Sequence, residues 1–150
     1  MPQSFVSMNC HIVFSTKQRE PWLTNELLPR LSDYSGGIVR AHGSALLAAG
    51  GMADHVHLIV SLGKELSIAD LLREIKANSS RWIHETFPHL SGFHWQTGYG
   101  AFAVSQSRLE SVKRYVGNQR EHHRMRTFQE EFIELLKRHN FAYDEKYLWD

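Results

Sequence analysis

The stretch DHVHLIVSL, residues 54–62, decides the fold of this chain. Asp54 is a turn residue, and an apolar run rich in β-branched side chains follows it, which is typical of a strand. Side chains two apart in a strand share a face. The stretch therefore predicts a strand over 55–61, with His55 and His57 on one face and the core residues Val56, Leu58 and Val60 on the other.

Two more strands and a helix are predicted before this stretch. Residues 5–15 alternate, which predicts a strand with one buried face made of Val6, Met8, Cys10, Ile12 and Phe14. Thr24 can cap a helix that runs to Ile38, although Gly36-Gly37 weakens its second half. The apolar residues 45–49 predict a short strand.

The part after residue 62 predicts a helix, a strand and two further helices. Ser67 with Asp70 opens a helix that Pro88 ends, residues 91–100 are a glycine-rich and aromatic loop, and residues 101–105 are a fourth strand. Two capping boxes follow. Ser107 with Glu110 predicts a helix through His123, and Thr127 with Glu130 predicts another. The aromatic tail, 141–150, is expected to pack on its own body or on a partner.

This order of elements is that of a ferredoxin-like fold. We therefore expect an α+β, RRM-like antiparallel sheet with helices on one face, and C-terminal helices added to it. The other face is expected to be open, as it is where such domains bind nucleic acid. A length of 150 residues suits one domain over 1–150, with a core at 5–123 and a C-terminal helix and tail at 124–150.

Composition narrows the class of protein. The single cysteine, Cys10, cannot form an internal disulfide, and no apolar run approaches the roughly 20 residues of a membrane helix. We therefore expect a cytosolic protein with no membrane partner. The net charge is only +1, but a basic run is compatible with phosphate binding or with a solvated helix face. It contains Lys113, Arg114, Arg120, Arg124 and Arg126.

His55 and His57 are the first candidates for chemistry. Two imidazoles side by side on a strand can ligate one divalent metal ion. Histidine pairs with this spacing also arise by chance, because the chain has 10 histidines. The alternative is therefore two half-exposed strand histidines with no ligand.

Tyr115 and Gln119 are the second candidates, because their spacing places them one turn apart on the same helix face. The amide oxygen of Gln119 is a plausible third metal ligand, and the Tyr115 hydroxyl would lie within reach of a phosphate on that metal. A tyrosine oxygen can attack a DNA phosphate and form a phosphotyrosine. The alternative is a tyrosine that packs its ring at the border of an apolar stripe.

Together these segments resemble the small single-tyrosine HUH transposases of insertion sequences that move as single-stranded DNA, and their REP-associated relatives. The resembling segments occur in order over about residues 5–123. They are HIVFSTKQRE at 11–20, DHVHLIVSL at 54–62, KANSSRWI at 76–83, WQTGYGAF at 95–102 and YVGNQ at 115–119.

The resemblance implies that Tyr115 is the nucleophile and that His55, His57 and Gln119 bind Mg²⁺ or Mn²⁺. It also implies single-stranded DNA with hairpins as substrate, a 5′-phosphotyrosine intermediate, and a homodimer. Such a protein would work in a bacterial or archaeal cytosol, on the nucleoid when bound to DNA. Lys113, Arg114 and Arg120 are candidates for holding the DNA backbone.

Other residues have open roles. His11 should share the open face with His55 and His57, where it contacts DNA phosphate, supports the metal site, or bonds only to its neighbours. Trp95, Tyr99 and Phe102 either stack on bases or anchor the core and the loop.

Four alternatives compete with the transposase hypothesis. The strongest is a non-cleaving single-stranded nucleic-acid-binding protein derived from such an enzyme. A replication initiator or relaxase is usually longer, a metal-dependent hydrolase would place more carboxylates near the histidines, and a structural protein needs none of these residues.

Overall fold

The structure is a computed structural model that describes residues 3–123 and 126–149. Strands in this part of the chain run over Asn9–Ser15 (β1), Ala45–Met52 (β2), His55–Ser61 (β3) and Gly100–Val104 (β4). Its α-helices run over Leu27–Ala41 (α1), Ile68–Thr86 (α2), Leu109–Gly117 (α3), Gln119–His123 (α4), Phe128–Arg138 (α5) and Glu145–Leu148 (α6). Short 3₁₀ turns lie at Lys17–Arg19, Pro88–Leu90 and Gln106–Arg108.

The strands form one antiparallel sheet in the order β2-β3-β1-β4. The ferredoxin-like α+β fold is therefore confirmed, including the expected pairing of the first and third strands. In that pairing Val13 lies opposite His57 and His11 lies opposite Ile59. Residues at odd positions of β1 and β3 consequently share one face of the sheet.

The two longest helices, α1 and α2, pack on the other face and form the main core. The core contains Ile12 and Phe14 from β1, and Val56, Leu58 and Val60 from β3, as the alternation predicts. The Ser67 side chain caps α2 by accepting a hydrogen bond from the Asp70 amide. Helix α1 continues through Gly36-Gly37 to Ala41, because its buried residues on either side hold it against the sheet.

The second face of the sheet is not open, so that prediction was wrong. Helix α3 covers it at one end, where Val116 packs on Ile59. Helix α5 covers it at the other, where Phe128 and Leu135 pack with Val13. Nearly all of β1 is therefore buried, instead of having a single buried face.

Local predictions also need correction. Strand β1 begins at Asn9 and not at residue 5. Ser107 lies inside a 3₁₀ turn and does not cap α3, which has no side-chain cap. The helix expected to run through His123 breaks after Gly117, with Asn118 between α3 and α4.

The capping box of Thr127 and Glu130 is present at the start of α5, as predicted. The tail packs on its own body, since Tyr143, Leu148 and Trp149 contact the apolar residues between α5 and the sheet. None of the helices within 3–123 and 126–149 is both long and apolar enough to cross a lipid bilayer.

Candidate metal centre and nucleophile

His55 and His57 lie side by side on the sheet face that α4 and α5 cover. Both are fully buried, with 0% of their surface exposed, so they are not half-exposed surface histidines. His11 lies on the neighbouring strand, where its Nε2 is 2.7 Å from His57 Nδ1. Only 4% of the His11 surface is exposed, which favours a role in orienting His57 over direct contact with a DNA phosphate.

Gln119 lies beside His55 and His123, although the helix breaks before it. Its Oε1 lies 3.3 Å from His55 Nε2 and 3.1 Å from His123 Nε2. Its amide nitrogen donates to the backbone carbonyl of Tyr115, at 3.3 Å, which aims the oxygen into the cluster. The structure thus brings together the three residues that the resemblance implies as ligands.

Tyr115 points its hydroxyl into the same cluster. Its ring packs at the edge of the apolar contacts of α3, as a border residue would, and lies 4.3 Å from the His122 ring. The hydroxyl, however, donates a short hydrogen bond to Glu131, and it accepts one of 3.2 Å from Arg126. Tyr115 is therefore both a packing residue and a member of the polar cluster.

Two members of the cluster were missed by sequence reasoning, namely His123 of α4 and Glu131 of α5. The Glu131 carboxylate is fully buried, and its Oε1 lies 2.9 Å from His57 Nε2 and 3.3 Å from His123 Nε2. His55, His57, His123 and Glu131 offer donor atoms that all lie within 4.8 Å of one another. The only signal in the sequence was the place of Glu131 on the apolar side of α5, three residues after Phe128.

Hydrogen bonds stabilise the negative charge of the Glu131 carboxylate in the cluster. Burial acts to raise the pKa of Glu131, but hydrogen bonds from His123 and His57 outweigh it and hold that pKa well below its usual range. Burial and the Glu131 carboxylate raise the pKa of Tyr115. Burial, followed by the neighbouring His57, lowers the pKa of His11 to about 3, so this imidazole is neutral near pH 7.

The predicted DNA-contacting cations lie outside the cluster. Arg114 and Arg120 are exposed, and Lys113 is half-buried with its Nζ 3.5 Å from Glu110. Arg124 falls outside the described residues. Arg126, at the end of the basic run, is the arginine that contacts Tyr115.

Two grooves flank α5 and approach the cluster from opposite sides. One, of about 860 Å³, contains His11 and Tyr115 in its wall together with Arg108 and Arg138. The other, of about 600 Å³, reaches His55 and His123. Helix α5 therefore stands between two approaches to the same polar cluster.

The aromatic residues of β4 and of the loop before it are mostly anchors. Trp95 packs against Phe14 and donates a hydrogen bond of 3.0 Å to Ser79, and Phe102 is buried beneath α5. The anchor alternative is thus confirmed for Trp95 and Phe102. Tyr99 is 40% exposed, so its role in stacking on bases stays a prediction.

Known proteins are similar to this chain in sequence and in fold. The ISDra2 transposase TnpA of Deinococcus radiodurans is 26% identical over 114 residues, which cover 73% of this chain and 81% of that protein. A crystal structure at 1.90 Å resolution of a candidate transposase from Deinococcus radiodurans R1 is 28% identical. It has a TM-score of 0.64 and covers 79% of this chain and 96% of that one.

A REP-associated tyrosine transposase bound to a REP hairpin is more distant in sequence. It is 14% identical, with a TM-score of 0.56 over 77% of this chain and 68% of that one, and it shows the same fold. The sequence model of the family described as IS200-like transposases matches residues 4–119, which include β1 to β4, Tyr115 and Gln119. This chain therefore belongs to the IS200-like transposase family.

Proposed function

We propose that this transposase nicks and rejoins single-stranded DNA through a 5′-phosphotyrosine on Tyr115, with the help of a divalent metal ion. The observation that carries the proposal is the meeting of the Tyr115 hydroxyl with the His55 and His57 side chains at one buried carboxylate, that of Glu131. The amide oxygen of Gln119 lies beside His55. Family membership supports DNA cleavage and strand transfer.

In the proposed reaction the phenolic oxygen of Tyr115 attacks the phosphorus of a DNA phosphodiester. The bond between phosphorus and the 3′-oxygen breaks, and that oxygen takes up a proton and leaves as a 3′-hydroxyl. The Tyr115 proton has an acceptor in Glu131, to which the hydroxyl already donates. Attack by a second 3′-hydroxyl on the phosphotyrosine reverses the step and rejoins a strand, with no need for ATP.

The donor set of the cluster fits a divalent ion, because imidazole nitrogens and an amide oxygen face one another there. His55, His57 and Gln119 are the proposed ligands, and Mg²⁺ or Mn²⁺ is the proposed ion. When bound, such an ion polarises the scissile phosphate and stabilises the charge of the transition state.

Arg126 is placed to hold the charge that develops at the Tyr115 oxygen, since its guanidinium donates to that atom. Lys113, Arg114 and Arg120 are proposed to bind the flanking DNA backbone, and His11 to contact phosphate or support His57. We further propose that the chain acts as one HUH domain and as a homodimer, on DNA that contains hairpins, in the cytosol.

The test is a gel assay for a covalent protein–DNA adduct. It uses labelled single-stranded hairpin oligonucleotides from the flanks of the gene, with Mn²⁺ or with EDTA. We expect a metal-dependent adduct with the unchanged protein and with Tyr34→Phe, a control whose ring stacks on Trp82 away from the cluster.

Tyr115→Phe should bind the same DNA and form no adduct. An undiminished adduct in that variant would remove Tyr115 from the role of nucleophile. Tight binding without any adduct from the unchanged protein, on DNA with a proven cleavage site, would favour the non-cleaving binding protein instead.

A further inference from the structure

We propose that His123 and Glu131 are also metal ligands, and that with His55 and His57 they form a site that prefers a transition metal ion to Mg²⁺. This inference rests on the proposed metal-dependent function and extends its ligand set. Both residues lie beyond residue 119, where the match to the family ends. The C-terminal helices would thus supply His123 and Glu131 to a site whose other proposed ligands are Gln119 and the two histidines of β3.

The three histidines are oriented in the same way. Each holds a partner outside the cluster through Nδ1 and turns Nε2 inward. The partners of Nδ1 are the Asp54 carboxylate at 2.7 Å from His55, His11 at 2.7 Å from His57, and the Arg126 carbonyl at 3.0 Å from His123. Metal-binding histidines have this arrangement, because the outer partner fixes the ring and its tautomer.

One carboxylate oxygen lies at the point where the three Nε2 atoms meet. Glu131 Oε1 is 2.9 Å from the Nε2 of His57, 3.3 Å from that of His123 and 3.6 Å from that of His55. Ligand atoms about 2.1 Å from a tetrahedral ion lie about 3.4 Å apart. The three distances from Glu131 Oε1 are therefore close to those between the donor atoms of a bound ion, and all four of these donor atoms lie within 4.8 Å of one another.

A cation among these atoms would take the place of the protons through which His123 and His57 donate to Glu131. His55 and His123 donate from Nδ1 to oxygen atoms, so in their neutral form both Nε2 atoms carry a lone pair. Gln119 Oε1 faces both of these nitrogens, and its orientation is fixed by the amide bond to Tyr115. Several acceptors that face one another in a buried site repel unless a proton or a metal ion lies between them.

The chemistry of the donors decides which cation fits. Mg²⁺ prefers oxygen ligands and keeps several water molecules, whereas three of the proposed donors here are imidazole nitrogens. Three imidazoles and one carboxylate suit Mn²⁺, Zn²⁺ and related ions. We therefore expect the unchanged protein to bind Mn²⁺ at least tenfold more tightly than Mg²⁺.

The experiment is a calorimetric titration of the full chain with MnCl₂ and with MgCl₂, in the absence of DNA. Glu131→Gln and His123→Ala should each weaken Mn²⁺ binding at least tenfold. Glu130→Gln is the matched control, since it removes the same charge from the next residue, which is exposed, and a glutamine there can keep the capping box. It should bind Mn²⁺ like the unchanged protein.

Circular dichroism of each variant would show that the fold is kept, and the Mn²⁺ electron paramagnetic resonance spectrum gives a second readout. Loss of one nitrogen coupling in His123→Ala, with those of His55 and His57 kept, is the expected result. Unchanged Mn²⁺ affinity in a folded Glu131→Gln variant would overturn the proposal, as would equal affinity of the unchanged protein for Mg²⁺ and Mn²⁺.

The outcomes separate this proposal from the proposed function. If Glu131→Gln kept its metal affinity but formed more adduct, the result would show that the Glu131 carboxylate blocks the position of the DNA phosphate. The proposal that Glu131 is a ligand would then fail, while the nicking function would stand. If the variants lost metal affinity as expected but the unchanged protein formed no adduct on a proven site, the nicking function would fail while the metal site stood.

Discussion

The backbone carbonyl oxygen of Val116 lies so close to the Cα atom of Gly50 that a methyl group on Gly50 would overlap it. Helix α3 crosses β2 at this point, and Val116 directly follows the candidate nucleophile. A residue without Cβ is needed where two backbones approach in this way. The position of Tyr115 above the histidines therefore depends on a glycine in the sheet.

Gly50→Ala should push α3 away from the sheet. We expect it to lower the free energy of unfolding by about 1–3 kcal/mol, as overpacking does, and to reduce adduct formation strongly by moving Tyr115. Urea denaturation and the adduct assay measure the two effects. Gly98→Ala, at a glycine with open space around it, should change neither, and normal adduct yield in Gly50→Ala would show that the contact does not position the tyrosine.

His11→Ala should weaken metal binding, because it leaves the Nδ1 atom of buried His57 without its partner. Removal of such an outer partner typically costs about 10–100-fold in metal affinity. Titration with MnCl₂ measures it, with His42→Ala as a control far from the cluster. If His11→Ala kept its metal affinity but lost affinity for DNA, His11 would contact phosphate instead.

Phe128→Ala should loosen α5, because the Phe128 ring stacks on His55 with 4.3 Å between ring centroids and is 4% exposed. Deletion of a buried phenylalanine costs about 3–5 kcal/mol. We expect the backbone amides of α5 to lose protection from hydrogen exchange relative to the unchanged protein, while those of the sheet keep it. Phe141→Ala, at a half-exposed ring, is the control, and equal protection of α5 in both variants would contradict the expectation.

Gly117→Ala should stabilise the end of α3, since nothing lies within 4 Å of the added methyl group and alanine favours a helix by about 1 kcal/mol over glycine. The joint between α3 and α4 would become stiffer, so we also expect slower adduct formation in a single turnover. A stabilised variant with an unchanged rate would show that the joint does not need to bend.

Strand β3 was predictable to the residue because its information is local. A turn residue and an apolar run rich in β-branched side chains specify its bounds, and the two-residue period of a strand gives the face that His55 and His57 share. The break after Gly117 was missed, because the capping box expected at Ser107 and Glu110 predicts one helix through His123. Glycine is a poor helix former, so the sequence did carry a local sign of this break.

The covered sheet face was not predictable in the same way. Residues Phe128, Phe132 and Leu135 show that α5 has an apolar side, but not which surface that side meets. Only docking on Val13 and Phe102 brings Glu131 to the histidines. Glu131 lies three residues after Phe128, on that same side of α5, and this spacing was the only sign in the sequence that it would be buried. A glutamate is otherwise expected at the surface.

The hydrogen bond between His57 and Glu131 joins two residues that lie 74 positions apart. An ion held by both would act as a cross-link between the sheet and the C-terminal helices, much as a disulfide closes a long loop. At a free metal concentration of one hundred times its dissociation constant, such an ion stabilises the folded chain by about 2.7 kcal/mol. The melting temperature of this protein should therefore rise with the free concentration of the metal ion around it.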